Sequence, residues 1–417
     1  MPRAIYRCPV QHKGVATMDE HQEVNRVGVI GGGQLAWMMA AGADALNIEL
    51  HVQTPSYEDP AVEIANTTLI GEIDDAAVTA QLAEQCDVIT FENEFIDLPA
   101  LRQLEKQRKS QRNDDRPLFA PSLNALSPLL DKYDQRLYCD RLNLPSPPFT
   151  TLQSQTDLPS LAEKVASIGL PLALKTRRHG YDGQGTFILK TLADVEATWE
   201  KLGYQPVLLE AFVEFEKELA VMAARTASGE VAAYPVVETE QIDQVCRRVI
   251  APARVEAVVV EEVQAIAATL ITDLNFVGVL GIEFFLTAHG KITINEVAPR
   301  THNSGHYTLD ACVTSQFEQQ LRAVSNRPLG STDLTSPGAV MINLLGTDSA
   351  TSDYQSKREA LSKIPDAHVY WYGKTRSRPG RKMGHVTVLT DSSNDAGAIA
   401  KTIKVVEDLW YQSSYEL

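Results

Sequence analysis

The stretch that decides the fold is GIEFFLTAHGKITINEVAPRTHNSGH, Gly281 to His306. Two strand-like runs, GIEFFL and ITINEVA, flank one turn signal, His289-Gly290, and read as the arms of a β-hairpin. With that dipeptide at the centre, Glu283 lies directly opposite Glu296. Like charges facing each other across a strand pair destabilise it. Val279, Phe285, Ile292 and Ile294 flank the two carboxylates on what strand alternation makes the same face, so that face should be mostly buried. Three conditions reconcile the pair with burial: one carboxyl is protonated, both reach solvent, or a cation sits between them. A hard, oxygen-seeking ion such as Mg²⁺ suits two carboxylates best, and it is normally shared with nucleotide phosphates. Asn295 and Arg300 crowd the same strand end.

Upstream, PLALK (Pro171 to Lys175) and TFILK (Thr186 to Lys190) read as strands flanking GYDGQG. Three glycines in six residues let a hairpin tip approach a phosphate through its backbone N–H groups, with Lys175 as a point charge beside it. A mobile loop next to a surface lysine reads equally well from these residues alone. PVLLEAFVEFEKELAVMAAR, from Pro206, supplies two further strands, and DKYDQRLYCDRLNL, from Asp131, a helix stopped by PSPP. This central part is a mixed α+β unit.

Nearer the N-terminus, VGVIGGGQLAWMMAAGADAL reads as a buried strand, a glycine turn and one helix carrying Leu35, Met38, Met39 and Ala43 inward. Strands and helices alternate from there to DVITFENE, which implies a parallel sheet covered on both faces. Gly31, Gly33 and Ala36 match G-x-G-x-x-A, yet Gln53 stands where a dinucleotide site wants an acid. A tight turn open to some other small anion is the better reading. KQRKSQRNDDRP, Lys106 to Pro117, is too polar to pack and reads as a solvated loop. In HNSGH, His302 and His306 have a zinc-like spacing but lack the glutamate of HExxH. A polar loop in which Asn303 and Ser304 grip a substrate is preferred. SPGAVMINLLG, VYWYGK, HVTVL and a final helix, DAGAIAKTIKVVEDLW, form a third segment.

The 417 residues suggest two or three domains. A formal charge of -16 argues against a nucleic-acid surface, and it makes the one basic cluster, Lys374, Arg381 and Lys382, conspicuous. A phosphate site and a solvated loop both account for that cluster. Five scattered cysteines without a CxxC pair fit a reducing cytoplasm, and no run approaches a membrane span.

A lysine, a glycine-rich hairpin and two hairpin carboxylates, in this order, resemble the ATP-grasp superfamily. Within it, LKTRRHGYDGQGT, INEVAPRTHNSGH and RPGRKMGH closely resemble the N5-carboxyaminoimidazole ribonucleotide synthases of purine biosynthesis. Residues 1–24, which the resemblance does not reach, read as a flexible extension, and the resemblance implies a Rossmann-like α/β domain over 25–124. It further implies an ATP-grasp α+β domain over 125–330 and a small β-rich C-terminal domain over 331–417. The implied reaction joins ATP, bicarbonate and aminoimidazole ribonucleotide through carboxyphosphate, with Mg²⁺ or Mn²⁺ as the ion. A cytoplasmic homodimer with no nucleic-acid or membrane partner is expected.

By the same resemblance, Lys132 and Lys175 are basic nucleotide contacts, and Gly180, Gly183 and Gly185 belong to a flap over the phosphates. Glu210 and the Val213 backbone meet the adenine edge, Glu218 holds the ribose, Asn295 assists, and Glu283 and Glu296 hold the metal. Tyr181, Asp182, Arg300, Asn303, Ser304 and His306 surround the reacting groups. Gln34, Glu92, Lys374, Arg381 and Lys382 bind the ribonucleotide. Gln241 stands where the family usually has histidine, and IDQVCRR replaces its usual loop. The competing readings are a formate-using transformylase of the same superfamily, an NAD-dependent oxidoreductase, and a non-catalytic nucleotide-binding subunit.

Overall fold

The structure, a computed structural model, describes residues 24–111, 117–178, 180, 185–393 and 395–411. Residues 1–23 of the expected extension, and the flap residues Tyr181, Asp182 and Gly183, lie outside the described residues. Three sheets organise the chain. The first is parallel, ordered β3-β2-β1-β4, from β1 (Arg26–Ile30), β2 (Glu49–Thr54), β3 (Thr67–Ile70) and β4 (Val88–Phe91). β4 is buried along its whole length, which explains why three of its four residues are apolar. The expected single helix after the glycine turn is two, Gln34–Trp37 and Ala40–Leu46. Between them the turn tightens, Met39 N–H bonding the Ala36 carbonyl at 3.0 Å, and both Met38 and Met39 are buried.

Lys106 to Gln111 is not a loop, because the helix Leu98–Gln111 runs through it. Leu101 and Leu104 anchor that helix in the core, and its polar end continues over solvent. Polarity there marked exposure, not the absence of a helix.

The second sheet is antiparallel, ordered β5-β8-β6-β7, from β5 (Phe149–Leu152), β6 (Leu172–Thr176), β7 (Thr186–Leu189) and β8 (Val207–Ala211). Its core packs Leu172, Leu174 and Leu209 against Trp199 of the helix Leu192–Lys201. The third sheet holds β9 (Lys217–Arg225), β10 (Val231–Ala233), β11 (Val237–Ile242), β12 (Val245–Ala251), β13 (Gly278–Leu286) and β14 (Ile292–Ala298). It continues through β15 (Gly338–Leu345), β16 (Ala367–Trp371) and β17 (Lys382–Thr390). The order is β14-β13-β9-β11-β12-β15-β17-β16, with β10 on β9. The C-terminal strands therefore extend the central sheet across the β12–β15 pairing.

Glu283 pairs with Glu296, as the sequence implied, but by a different route. Next to the turn, Leu286 faces Ile292 and Phe284 faces Ile294, one residue out of step with a hairpin centred on His289-Gly290. Thr287 N–H closes the turn on the Lys291 carbonyl at 3.0 Å, with Gly290 at φ +75°. A β-bulge between Glu283 and Phe284 restores the carboxylate pairing. It also corrects the expected face. Val279 and Phe285 share Glu283's side, whereas Ile292 and Ile294 lie on the other, packed with Ile282 and Phe284 against Val263 and Leu270 of the helix Ala257–Asp273.

This register makes a stability prediction. Phe284→Ala, on the helix-covered face, should cost about 3–5 kcal/mol in urea unfolding, and Phe285→Ala, on the half-buried cleft face, clearly less. Equal costs would contradict this assignment of faces.

Candidate active site

A cleft of about 1480 Å³ opens where the three sheets meet. Pockets for one small molecule typically enclose roughly 300–1,000 Å³, so there is room for more than one ligand. Lys175 on β6 and Glu210 on the neighbouring β8 form its floor, both under 9% exposed. Lys175 Nζ lies 2.7 Å from Glu210 Oε2 and 3.1 Å from Asn295 Oδ1. Glu210 also binds Arg136, whose guanidinium donates to the Asn295 carbonyl at 2.5 Å. Arg136 comes from the helix Lys132–Arg141, whose N-cap, Asp131, takes the Tyr133 N–H at 2.9 Å and Arg177 at 2.8 Å. Burial pushes the Lys175 ammonium below its ordinary range. Burial would lift Glu210, but Arg136 and Lys175 outweigh it and hold that carboxyl at about 2. Glu210 thus orients Lys175.

The third sheet contributes the acids. The bulge places consecutive Asn295 and Glu296 both at the cleft, and the β9–β13 pairing sets Glu218 on Glu283's face, opposite Phe285. Burial, then Glu296, pushes Glu283 up to about 7, and burial, then Glu283, pushes Glu218 up to about 8. Burial works the same way on Glu296, but Lys132 Nζ at 2.5 Å keeps it below its ordinary range. Glu283 instead faces His302 Nε2 at 3.9 Å, an imidazole lowered to about 3 by burial and Arg300.

The donors therefore suit a hard dication. Two carboxylates and an amide oxygen share one cleft wall, and among the described residues Glu283 has no Lys or Arg in contact. Among the described residues, no three His, Cys, Asp or Glu side chains gather closely enough to cage a metal alone, as expected for an ion shared with phosphates.

The HNSGH residues separate. His302 and Asn303 line the cleft. The Ser304 hydroxyl sits on His302 Nδ1 at 2.9 Å, and His306 is wholly buried. Arg300 pairs with Glu94 at 2.7 Å. Glu94, His302 and a Phe215–Phe285 ring stack at 4.7 Å are cleft features the sequence reading missed. Glu94 could have been found, since FENE puts two acids two apart at a strand end.

On the first sheet, Glu92 accepts the Gly33 N–H at 2.5 Å and the Leu35 N–H at 2.9 Å. The amides offered in sequence to a small anion are already taken by this buried carboxylate. A Cβ on Gly33 would lie 2.5 Å from Glu92 Oε1, which requires glycine there. Gln53 is fully buried, donating to the Glu72 carbonyl at 2.7 Å and accepting from Thr79 at 2.8 Å, so it serves the core. Gln34 accepts from Lys374 Nζ at 2.7 Å, which joins the first sheet to the basic loop. Lys382 lines the cleft, and Arg381 donates to the Arg376 carbonyl of its own loop. Val213, Gly180 and Gln241 line the walls. Gly185, at φ +83°, packs where a Cβ would meet Thr176 Oγ1 at 2.2 Å.

Comparison with known proteins covers most of the chain. Residues 24–115 match the ribonucleotide synthetase preATP-grasp domain, 137–317 the ATP-grasp domain, and 339–398 the phosphoribosylaminoimidazole carboxylase C-terminal domain. The chain is 51% identical over 390 residues to N5-carboxyaminoimidazole ribonucleotide synthase of Synechococcus elongatus, covering 93% of this chain and 96% of that protein. It is 36% identical to the Bacillus subtilis protein of the same name, covering 88% and 92%. Among solved structures, N5-carboxyaminoimidazole synthase from Aspergillus clavatus, in complex with ADP and 5-aminoimidazole ribonucleotide, is 32% identical with a TM-score of 0.82. That match covers 92% of this chain and 99% of the other.

The floor of the cleft yields a prediction. Glu210→Ala strands Arg136 and Lys175 without their buried counter-charge and should cost about 3–5 kcal/mol. Thermal unfolding of the purified variant measures it. A loss under about 1 kcal/mol would show that the network does not hold the floor.

Proposed function

The chain belongs to the N5-carboxyaminoimidazole ribonucleotide synthase family of ATP-grasp enzymes, and we propose how its cleft performs the family's reaction. That reaction is the ATP-dependent carboxylation of 5-aminoimidazole ribonucleotide in purine biosynthesis. In our reading, ATP lies between the second and third sheets. The Val213 backbone meets the adenine edge, Phe285 and Phe215 offer the base an apolar wall, and Glu218 takes the ribose hydroxyls. Lys175 and Lys132 meet the phosphates, next to the glycine tip flanked by Gly180 and Gly185. Glu283 and Glu296, with Asn295, would hold Mg²⁺, which when bound supplies charge neutralisation to the transferring phosphoryl group.

The observation that carries this reading is the Glu283–Glu296 pairing beside the desolvated Lys175. Bicarbonate attacks the terminal phosphorus and ADP leaves, giving carboxyphosphate. Positioning and fixed charge dominate such a step, and Lys175, oriented by Glu210 and Asn295, needs no reorganisation. The ribonucleotide's 5′-phosphate would sit at Gln34, Lys374, Arg381 and Lys382, with its amine toward His302, Asn303 and the Arg300–Glu94 pair. Attack of that amine on the carboxyl carbon forms the C–N bond and releases phosphate. We further infer a cytoplasmic protein and, on the family resemblance alone, a homodimer. The scattered cysteines support the compartment, and no described helix is long and apolar enough to cross a membrane.

Three outcomes are expected. Glu296→Gln should lower kcat by about a hundredfold or more with an unchanged circular dichroism spectrum, and full Mg²⁺-dependent turnover would remove the metal assignment. Lys374→Glu should raise KM for the ribonucleotide about tenfold or more and leave KM for ATP within about twofold. ADP release should require the ribonucleotide, with ¹³C from bicarbonate entering an acid-labile carbamate. Formate replacing bicarbonate would instead favour the transformylase reading.

A further inference from the structure

Asn303 reaches the cleft from a buried hydrogen-bond network that fixes which of its atoms remain for a ligand. Its amide pairs with Asn343 in both directions. Asn303 Nδ2 donates to Asn343 Oδ1 at 2.9 Å, and Asn343 Nδ2 donates back to Asn303 Oδ1 at 2.7 Å. Asn343 Nδ2 also donates to the Cys246 carbonyl at 2.9 Å. A backbone carbonyl only accepts, so Asn343 has one orientation. Turning Asn303 over would then set nitrogen against nitrogen and oxygen against oxygen.

The remaining hydrogen of Asn303 Nδ2 faces His306 Nδ1 at 3.3 Å. His306 and His385 are wholly buried, and burial keeps both imidazoles neutral. The Tyr372 hydroxyl stands 2.7 Å from His385 Nδ1 and 3.3 Å from His306 Nδ1, so its proton goes to the nearer ring. A proton on His306 Nδ1 would set an N–H against the Asn303 N–H. With its proton on Nε2, which is buried without a partner among the described residues, His306 accepts from Asn303. Phe317, Tyr372 and His385 pack around the His306 ring, with centroids 5.8, 6.4 and 4.9 Å away, and hold it in place.

A primary amide has two hydrogens and two oxygen lone pairs. Asn303 spends both hydrogens and one lone pair inside the protein, which leaves one Oδ1 lone pair without a partner among the described residues, on a side chain that lines the cleft. We infer that Asn303 is a hydrogen-bond acceptor that reads an N–H of the ribonucleotide's exocyclic amine, with Asn343 and His306 as its positioning residues and Tyr372 supporting them. This rests on the function proposed above. It narrows the expectation that Asn303, Ser304 and His306 surround the reacting groups, since Ser304 is engaged by His302 and His306 is enclosed. A ligand without that N–H would leave this second lone pair of the carbonyl unpaired, which is how such a site discriminates.

Calorimetry on the ADP-saturated protein tests the assignment, comparing 5-aminoimidazole ribonucleotide with imidazole ribonucleotide, which lacks the amine. The wild type should prefer the amine by about tenfold or more. Asn343→Leu frees the amide to turn and should reduce that preference. The double variant Asn303→Leu/Asn343→Leu removes both buried partners together, which favours retention of the fold, and should bind the two compounds within about twofold. General loosening would weaken both ligands alike and leave the ratio intact. A wild-type ratio retained in the double variant overturns the inference, as does a wild type that binds both ribonucleotides equally. A wild type that binds neither overturns the proposed function itself.

Discussion

Two carboxylates facing each other across β13 and β14 set the terms for everything around them. Unscreened, Glu283 and Glu296 would push the hairpin apart, and the chain answers with geometry and charge. The bulge at Asn295 turns that amide and Glu296 together toward the cleft, while Ile292 and Ile294 stay on the helix-covered side. Lys132 neutralises one acid from the start of its helix, and the other is held at a raised pKa. What remains is a demand for positive charge on one wall, answered in our reading by a nucleotide-borne cation.

The second sheet supplies the opposing wall, and the two are tied through a single buried network. Arg136 bonds Glu210 on one sheet and the Asn295 carbonyl on the other, and Lys175 bridges the same two residues. Such a network is costly to break by removing one member, since each loss leaves an uncompensated charge. The first sheet and the basic loop close the far end, where Lys374 reaches Gln34 across 340 positions of sequence.

Much of this was legible because the governing signals are local. Strand alternation, a turn dipeptide and glycine-rich tips locate the hairpins, and a parallel sheet follows from alternating strands and helices. Equal distances from a turn gave the Glu283–Glu296 contact, although the pair is reached through a bulge that the sequence did not announce. Legibility failed where geometry departs from period two or where a partner is remote. The bulge moved Ile292 and Ile294 to the opposite face, and no residue type announces it. Glu92 looked available to a ligand, but its oxygens serve Gly33 and Leu35, contacts made 59 and 57 residues away. Within HNSGH, the five letters could not say that His302 faces the cleft while His306 faces Tyr372 and His385. That division is made by packing against β15 and β17. Polar composition also misled at Lys106 to Gln111, since an exposed helix end and a loop share it.

The central claim is that Glu283 and Glu296 jointly hold the nucleotide's divalent ion. Crystals of the protein with a non-hydrolysable ATP analogue and Mn²⁺ test it directly, because manganese can be located by anomalous scattering. The account predicts a peak within about 2–2.5 Å of a carboxylate oxygen of each glutamate and of phosphate oxygens. Nucleotide bound in the cleft with manganese absent from that position, or bound by neither glutamate, would contradict it.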